Sequence, residues 1–136
     1  MPITIKRDKT IPAAQVEALY LDAGWHAYTN DMSVLMQAIE NSLDVVAAWD
    51  GDELVGLIRT VGDDFTVLYI QDILVLKAYR NQGIASRLLQ QILHDYPDVR
   101  QKVLLTEDDP GVRHFYEKNG FQSCDKGNLV AFATFD

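Results

Sequence analysis

Arg80, Asn81, Gln82 and Gly83, followed at once by Ile84, Ala85 and Ser86, are the residues of this chain whose types and spacing most plainly suggest chemistry. A glycine lets the backbone turn left-handed or approach a ligand closely, and the short side chain of Ala85 stays out of the way. If a helix begins here, its first N–H groups are unpaired and lie at the positive end of the helix dipole. The stretch "YRNQGIASRLL" then becomes an anion site suited to a phosphate-bearing ligand. It is not a P-loop, because no Lys-Ser/Thr pair follows the glycine, and it lacks the third glycine of a dinucleotide-binding turn. Nucleotide hydrolysis and hydride transfer are disfavoured. A second residue stands out in "YIQDILV", where Asp72 lies amid Ile70, Ile73 and Leu74. A carboxylate in an apolar strand is either functional or structural, and the structural reading has it capping backbone groups at a bulge or pairing with Arg59.

These residues need elements to hold them. "ITIKR" alternates as a short strand. Pro12 suits the first turn of a helix that repeats Val16, Leu19, Tyr20 and Ala23 at helical spacing and stops at Gly24. Asn30 and Asp31 are good capping residues for a second helix that buries Leu35, Met36 and Ile39. Next, "DVVAAW", "ELVGLIRTV" and "TVLYIQDILVL" are joined through Asp50-Gly51 and Gly62-Asp63-Asp64, which predicts an antiparallel meander. The glycine loop comes after these, then a helix with Ile84, Leu88, Leu89, Ile92 and Leu93 on one face, a stop at Tyr96-Pro97 and the strand "KVLL". Strand, helix, strand is a right-handed crossover, so this last strand should run parallel to its predecessor. A short helix around "GVRHFYEKN", capped at Gly120, and two strands, "FQSC" and "LVAFATF", complete the chain. The sum is a mixed α/β sheet.

"VLKAYRNQGIASRLL" resembles the acetyl-coenzyme A loop of the GNAT superfamily of N-acetyltransferases, with Arg80, Gly83 and Ala85 at the three defined positions of its pattern. A second signature of that family, Phe-Tyr-x-x-x-Gly-Phe, is matched by Phe115, Tyr116, Gly120 and Phe121. The resemblance covers nearly the whole chain, and two motifs in the right order on the right elements are far more specific than either alone. It implies a central, mostly antiparallel mixed sheet of 6–7 strands with helices on both faces and a splayed β4/β5 pair. It also implies one acetyltransferase domain over residues 1–136. Backbone N–H groups from Asn81 through Gln82, Gly83, Ile84 and Ala85 to Ser86 would bind the coenzyme pyrophosphate, and the backbone of Ile73, Leu74 and Val75 would pair with the pantetheine arm. Tyr116 corresponds to the family's usual general acid, because a departing thiolate gains from a nearby proton donor and a phenol near pKa ~10 is protonated at neutral pH. The chain departs from the family at Lys77, where proline is common, at Ala85 for the commoner second glycine, and at Asp109. Asp109 stands where many members carry an asparagine that contacts the coenzyme, and a carboxylate cannot donate as an amide does.

The mechanism implied is direct attack of an amine on the thioester, which wants a base or a water chain near the splayed strands. Asp72 is the candidate base, with Asp108 and Glu107 in reserve. The segment "AGWHAYTND" places Trp25, Tyr28 and Asp31 as candidate acceptor contacts, alongside Phe65, Tyr69, Asp63 and Asp64, and an acidic aromatic-lined pocket suits a small cationic, aryl-alkyl amine. The competing reading is that Trp25 and Tyr28 close the core over the sheet. "LYLDAGWHAY" with "LVGLIRTVGDD" is similar to a GNAT subgroup that includes plastid arylalkylamine-type acetyltransferases.

Composition excludes other classes. The chain has 136 residues, a net charge of −8 and no long run among its 12 Lys and Arg, which argues against a nucleic-acid partner. No stretch approaches the roughly 18 apolar residues of a membrane span, and the start has no apolar signal core, so a cytoplasmic location is expected. Cys124 is the single cysteine and reads as a packing residue; His26, His94 and His114 lack ligand-like spacing, so no metal is expected. Two rivals to the enzyme are a non-catalytic acyl-coenzyme A binding sensor and an interaction protein acting, for instance, through an exposed sheet edge in a homodimer.

Overall fold

The computed structural model describes residues 2–135, which fall into two compact units divided between Leu105 and Thr106. The first unit is built on five strands in sequential order: β1 (Thr4–Arg7), β2 (Asp44–Asp50), β3 (Glu53–Gly62), β4 (Val67–Val75) and β5 (Gln101–Leu104). The first four run antiparallel and β5 joins β4 in parallel. Helices α1 (Ala13–Asp22), α2 (His26–Thr29) and α3 (Met32–Glu40) link β1 to β2, and α4 (Ile84–Asp95) makes the crossover to β5 that a parallel pair requires.

The helices sit where the strand alternation sends apolar side chains. Val16, Leu19 and Tyr20 of α1 and Leu35 and Ile39 of α3 pack with Val45, Ala47, Leu57 and Leu74 of the sheet in one buried cluster. Val46, Ala48 and Ile58 point the other way, toward the face on which α4 buries Ile84, Leu88, Leu89 and Ile92. Gly56 allows that approach: a Cβ there would lie 3.3 Å from Ile84 Cγ2 and 3.4 Å from Leu88 Cδ1. At the other face, α3 starts because the Asp31 carboxylate accepts the Val34 N–H at 3.2 Å.

Two irregularities in β4 set the geometry of its functional edge. Its register against β3 steps from Arg59↔Asp72 to Thr60↔Ile70, which leaves Gln71 as an extra, bulged residue. Directly paired residues share a face, so Asp72 and Leu74 face α1 while Ile70 shares the opposite face with Thr60. Without the bulge Asp72 and Ile70 would point the same way. The second irregularity is on the other edge. β5 pairs only with Val67 to Ile70, and β4 continues to Val75 with no β5 partner beside it, the splayed pair that the family resemblance implies.

The second unit holds α5 (Pro110–Lys118), whose start is capped by Asp109 accepting the Val112 N–H at 3.0 Å. Arg113 reaches from this helix to Asp108 at 2.6 Å, Asp125 at 3.0 Å and Ser123 at 3.2 Å, tying the chain after the helix back to it. The expectation of 6–7 strands is corrected here. Among the described residues the sheet has five, and "FQSC" and "LVAFATF" form none, holding only a single 3₁₀ turn at Cys124–Lys126. Alternating apolar residues describe a strand only when a ladder partner exists, and Leu129, Val130, Phe132 and Phe135 remain exposed. A smaller difference is α2, a one-turn helix inside "AGWHAYTND", the stretch between the two helices expected from the sequence, where the sequence predicts no element.

The close approach at Gly56 generates a test. Gly56→Val should lower unfolding stability by about 1–3 kcal/mol in urea denaturation, because the added carbons force α4 from the sheet. An unchanged midpoint would contradict this packing.

Candidate active site

The chain leaves β4 at Leu76, makes one 3₁₀ turn over Lys77–Tyr79, and passes through Asn81 and Gly83 with φ of 64° and 77° before α4 begins. Asparagine and glycine are the residues that enter this left-handed region most readily. The first helical hydrogen bond runs from the Arg87 N–H to the Gly83 carbonyl at 3.0 Å. The N–H groups of Asn81 to Ser86 therefore donate to no acceptor among the described residues. No side chain caps this helix and its first turn carries no acidic residue, so nothing competes for an anion. A Cβ on Gly83 would meet nothing within 4 Å, and Arg80 is exposed with no ion-pair partner among the described residues. Unpaired donors, the positive end of a helix and a free guanidinium together fit a pyrophosphate. Ile73, Leu74 and Val75 run along the open edge of β4 directly before this loop, so an extended ligand arm could continue from the cradle along the strand.

Asp72 lies deep behind that edge. Its side chain is 1% exposed and that of Arg59, its cross-strand partner, 6%. Arg59 Nε donates to Oδ2 at 2.8 Å, the Tyr20 hydroxyl donates to the same oxygen at 2.8 Å, and the Tyr28 hydroxyl donates to Oδ1 at 2.8 Å. The alternative role foreseen for Asp72, pairing with Arg59 at a bulge, is what its contacts display. Both oxygens carry donors, so the carboxylate reaches outward only through Tyr28. Burial, reinforced by the charge of Asp72, pushes the Tyr20 and Tyr28 hydroxyls above the ordinary phenol value, and both stay protonated at neutral pH.

Trp25, Tyr28 and Tyr20 form one aromatic cluster, with ring centroids 5.3 Å apart for Tyr20 and Tyr28, 6.0 Å for Tyr20 and Trp25, and 6.1 Å for Trp25 and Tyr28. Trp25 and Tyr28 are half-buried against the core, so each has a packed side and an accessible one. Asp31 is exposed and occupied in capping α3. In the second unit Tyr116 packs edge-on against Phe115 at 5.0 Å and Phe121 at 5.8 Å, and burial pushes its hydroxyl up to about 12. Asp109 serves as the cap of α5. Two members of the Asp72 network were not singled out from the sequence as functional. Tyr20 reads there as a core position of α1, and nothing in a linear pattern marks Gln71 as the bulged residue; its amide Nε2 donates to the Tyr28 oxygen at 2.8 Å.

Known proteins agree with this construction. The model of the acetyltransferase (GNAT) family matches residues 12–121, a span that crosses from the first unit into the second. An uncharacterised ycf52-like N-acetyltransferase of Prochlorococcus marinus is 28% identical over 128 residues, covering 91% of this chain and 70% of the relative. A GNAT-family acetyltransferase of Streptococcus pneumoniae superposes with a TM-score of 0.89 at 34% identity, covering 99% of this chain and 98% of the other. An aminoglycoside acetyltransferase from a soil metagenomic sample, solved with sisomicin, shares the fold at a TM-score of 0.73 and 16% identity, covering 98% and 95%. The chain belongs to the GNAT family of acetyltransferases and is an N-acetyltransferase of that family.

The buried network yields a stability test. Asp72→Ala leaves the buried Arg59 charge without its counter-ion and the Tyr20 and Tyr28 hydroxyl protons without their acceptor, and should cost about 3–5 kcal/mol. The double replacement Arg59→Met with Asp72→Leu should cost less than Asp72→Ala alone, read by chemical denaturation. Simple additivity of the single losses would show that the pair is not coupled.

Proposed function

We propose that this protein transfers an acetyl group from acetyl-coenzyme A to a small cationic primary amine, in one step and without a covalent enzyme intermediate. The observation that carries the reading is the uncapped start of α4, whose donors from Asn81 to Ser86 lie next to the open edge of β4. The loop N–H groups and Arg80 hold the pyrophosphate, and the backbone of Ile73, Leu74 and Val75 aligns the pantetheine arm. Bound there, the coenzyme supplies an acyl group activated as a thioester.

The remaining chemistry belongs to the chain's side chains. Trp25 and Tyr28 offer aromatic faces to an acceptor carrying an aryl or alkyl group, and the exposed Asp31, three residues on, adds negative charge to the segment. The ammonium loses one proton to water, its nitrogen then bonds to the acyl carbon as the carbon–sulfur bond breaks, and the nitrogen sheds its second proton to solvent to give the amide. Tyr116 gives its hydroxyl proton to the departing sulfur and recovers one from solvent. Its elevated pKa of about 12 supports this role, since the proton is present throughout the neutral range. Asp72 acts as a positioning residue, because both of its oxygens are already engaged.

Thiol release from acetyl-coenzyme A against small amines, aryl-alkyl amines and lysine peptides tests the reading. Release with one amine class is expected, and Tyr116→Phe should lower kcat by about 100-fold with coenzyme affinity unchanged. Coenzyme binding without release on any amine would favour a sensor module instead, and an unaltered rate in Tyr116→Phe would remove the assigned acid.

A further inference from the structure

The polar chain that starts at Asp72 has a direction, and the direction specifies what its outer end can bind. Asp72 as a carboxylate only accepts, so the Tyr28 hydroxyl must spend its proton on Oδ1. The Tyr28 oxygen is then left as an acceptor, and Gln71 must turn its NH₂ group toward it, as the 2.8 Å contact from Nε2 records. The amide carbonyl oxygen of Gln71 is thereby presented outward, with no partner among the described residues. A buried charge thus orients the amide so that its carbonyl oxygen, with the second Nε2 hydrogen beside it, faces outward. Reversing the amide would place a carbonyl against the Tyr28 oxygen lone pairs, and the loss of a hydrogen bond to that group disfavours it.

Location adds a second constraint. Gln71 is the bulged residue of β4, exposed, and the first residue past Ile70↔Leu104, the last pair of the β4/β5 ladder. It stands at the mouth of the split between these strands. We propose that the Gln71 carbonyl oxygen and the second lone pair of the Tyr28 hydroxyl bind the N–H groups of the acceptor, making Gln71 a specificity-determining residue for donor groups such as a primary ammonium. A carboxylate or phosphate placed there would face two oxygen acceptors, with only the second Nε2 hydrogen of Gln71 left to donate. This rests on the transferase reading above and identifies which side chains select the amine.

Steady-state kinetics with the amine that gives the fastest thiol release test it, in the wild-type protein, Gln71→Met and Gln71→Glu. Residue 71 is exposed, so both variants should fold. Loss of the acceptor oxygen in Gln71→Met should raise KM for the amine about tenfold, with kcat and acetyl-coenzyme A affinity within about twofold. Gln71→Glu keeps acceptor oxygens and adds a negative charge that attracts an ammonium, so the amine KM should stay at or below the wild-type value although the Tyr28 oxygen loses its donor. An unchanged KM in Gln71→Met overturns the assignment while leaving the transferase intact. An equal rise in both variants marks a packing role and overturns it as well. If the wild-type protein releases no thiol with any amine, the transferase reading fails and this inference falls with it.

Discussion

A guanidinium and a carboxylate lie opposite each other in the middle of the sheet, 2.8 Å apart and both nearly shielded from water. Two charges in such a place are tolerable only if each finds its partner, so Arg59 and Asp72 impose a single register on β3 and β4. The bulge at Gln71 is the adjustment that turns Asp72 toward α1, where Tyr20 and Tyr28 complete its hydrogen bonds. That requirement reaches into the helices. Tyr20 lies on α1 and Tyr28 on α2, so the ion pair sets where the aromatic segment sits over the sheet.

The other half of the site arises from an absence of pairing. Past Ile70, β4 continues without β5 beside it, and at its end the backbone turns left-handed twice and enters α4 with a row of N–H groups unpaired. Unsatisfied donors at a helix start are normally capped by a side chain, and here Gly83 supplies none. α4 itself is anchored on the far face through Leu88, Leu89 and Ile92 and held close by Gly56, so the row of donors is fixed in space. The same strand therefore connects a buried charge, an open edge and an anion cradle.

Much of this was legible in the sequence because it was written locally. Gly83 before a helix-period run, Asp50-Gly51 between strand-like runs, and Asp31 before an apolar helix each carry their meaning within a few residues. What was not legible depended on pairing across the fold. Gln71 becomes a bulge only through the register of β3, and Asp72 is a structural partner only because Tyr20 approaches from a helix 52 residues earlier. The pairing of Asp72 with Arg59 was foreseeable as one of two readings, since a cation on the adjacent strand was visible. The C-terminal strands misled for the same reason in reverse: "LVAFATF" has the composition of a strand, but composition supplies no partner edge.

Calorimetric titration of acetyl-coenzyme A into the wild-type protein and Gly83→Glu, with denaturation curves confirming that both are folded, tests the central claim most directly. A carboxylate at position 83 would face open space, since a Cβ there meets nothing within 4 Å beyond its own chain neighbours, in the place assigned to the pyrophosphate. The wild-type protein should bind with a Kd on the order of micromolar, and the folded variant should show no binding at matched concentrations. Retained affinity in Gly83→Glu, or no binding by the wild-type protein, would contradict the assignment of the loop as the coenzyme cradle.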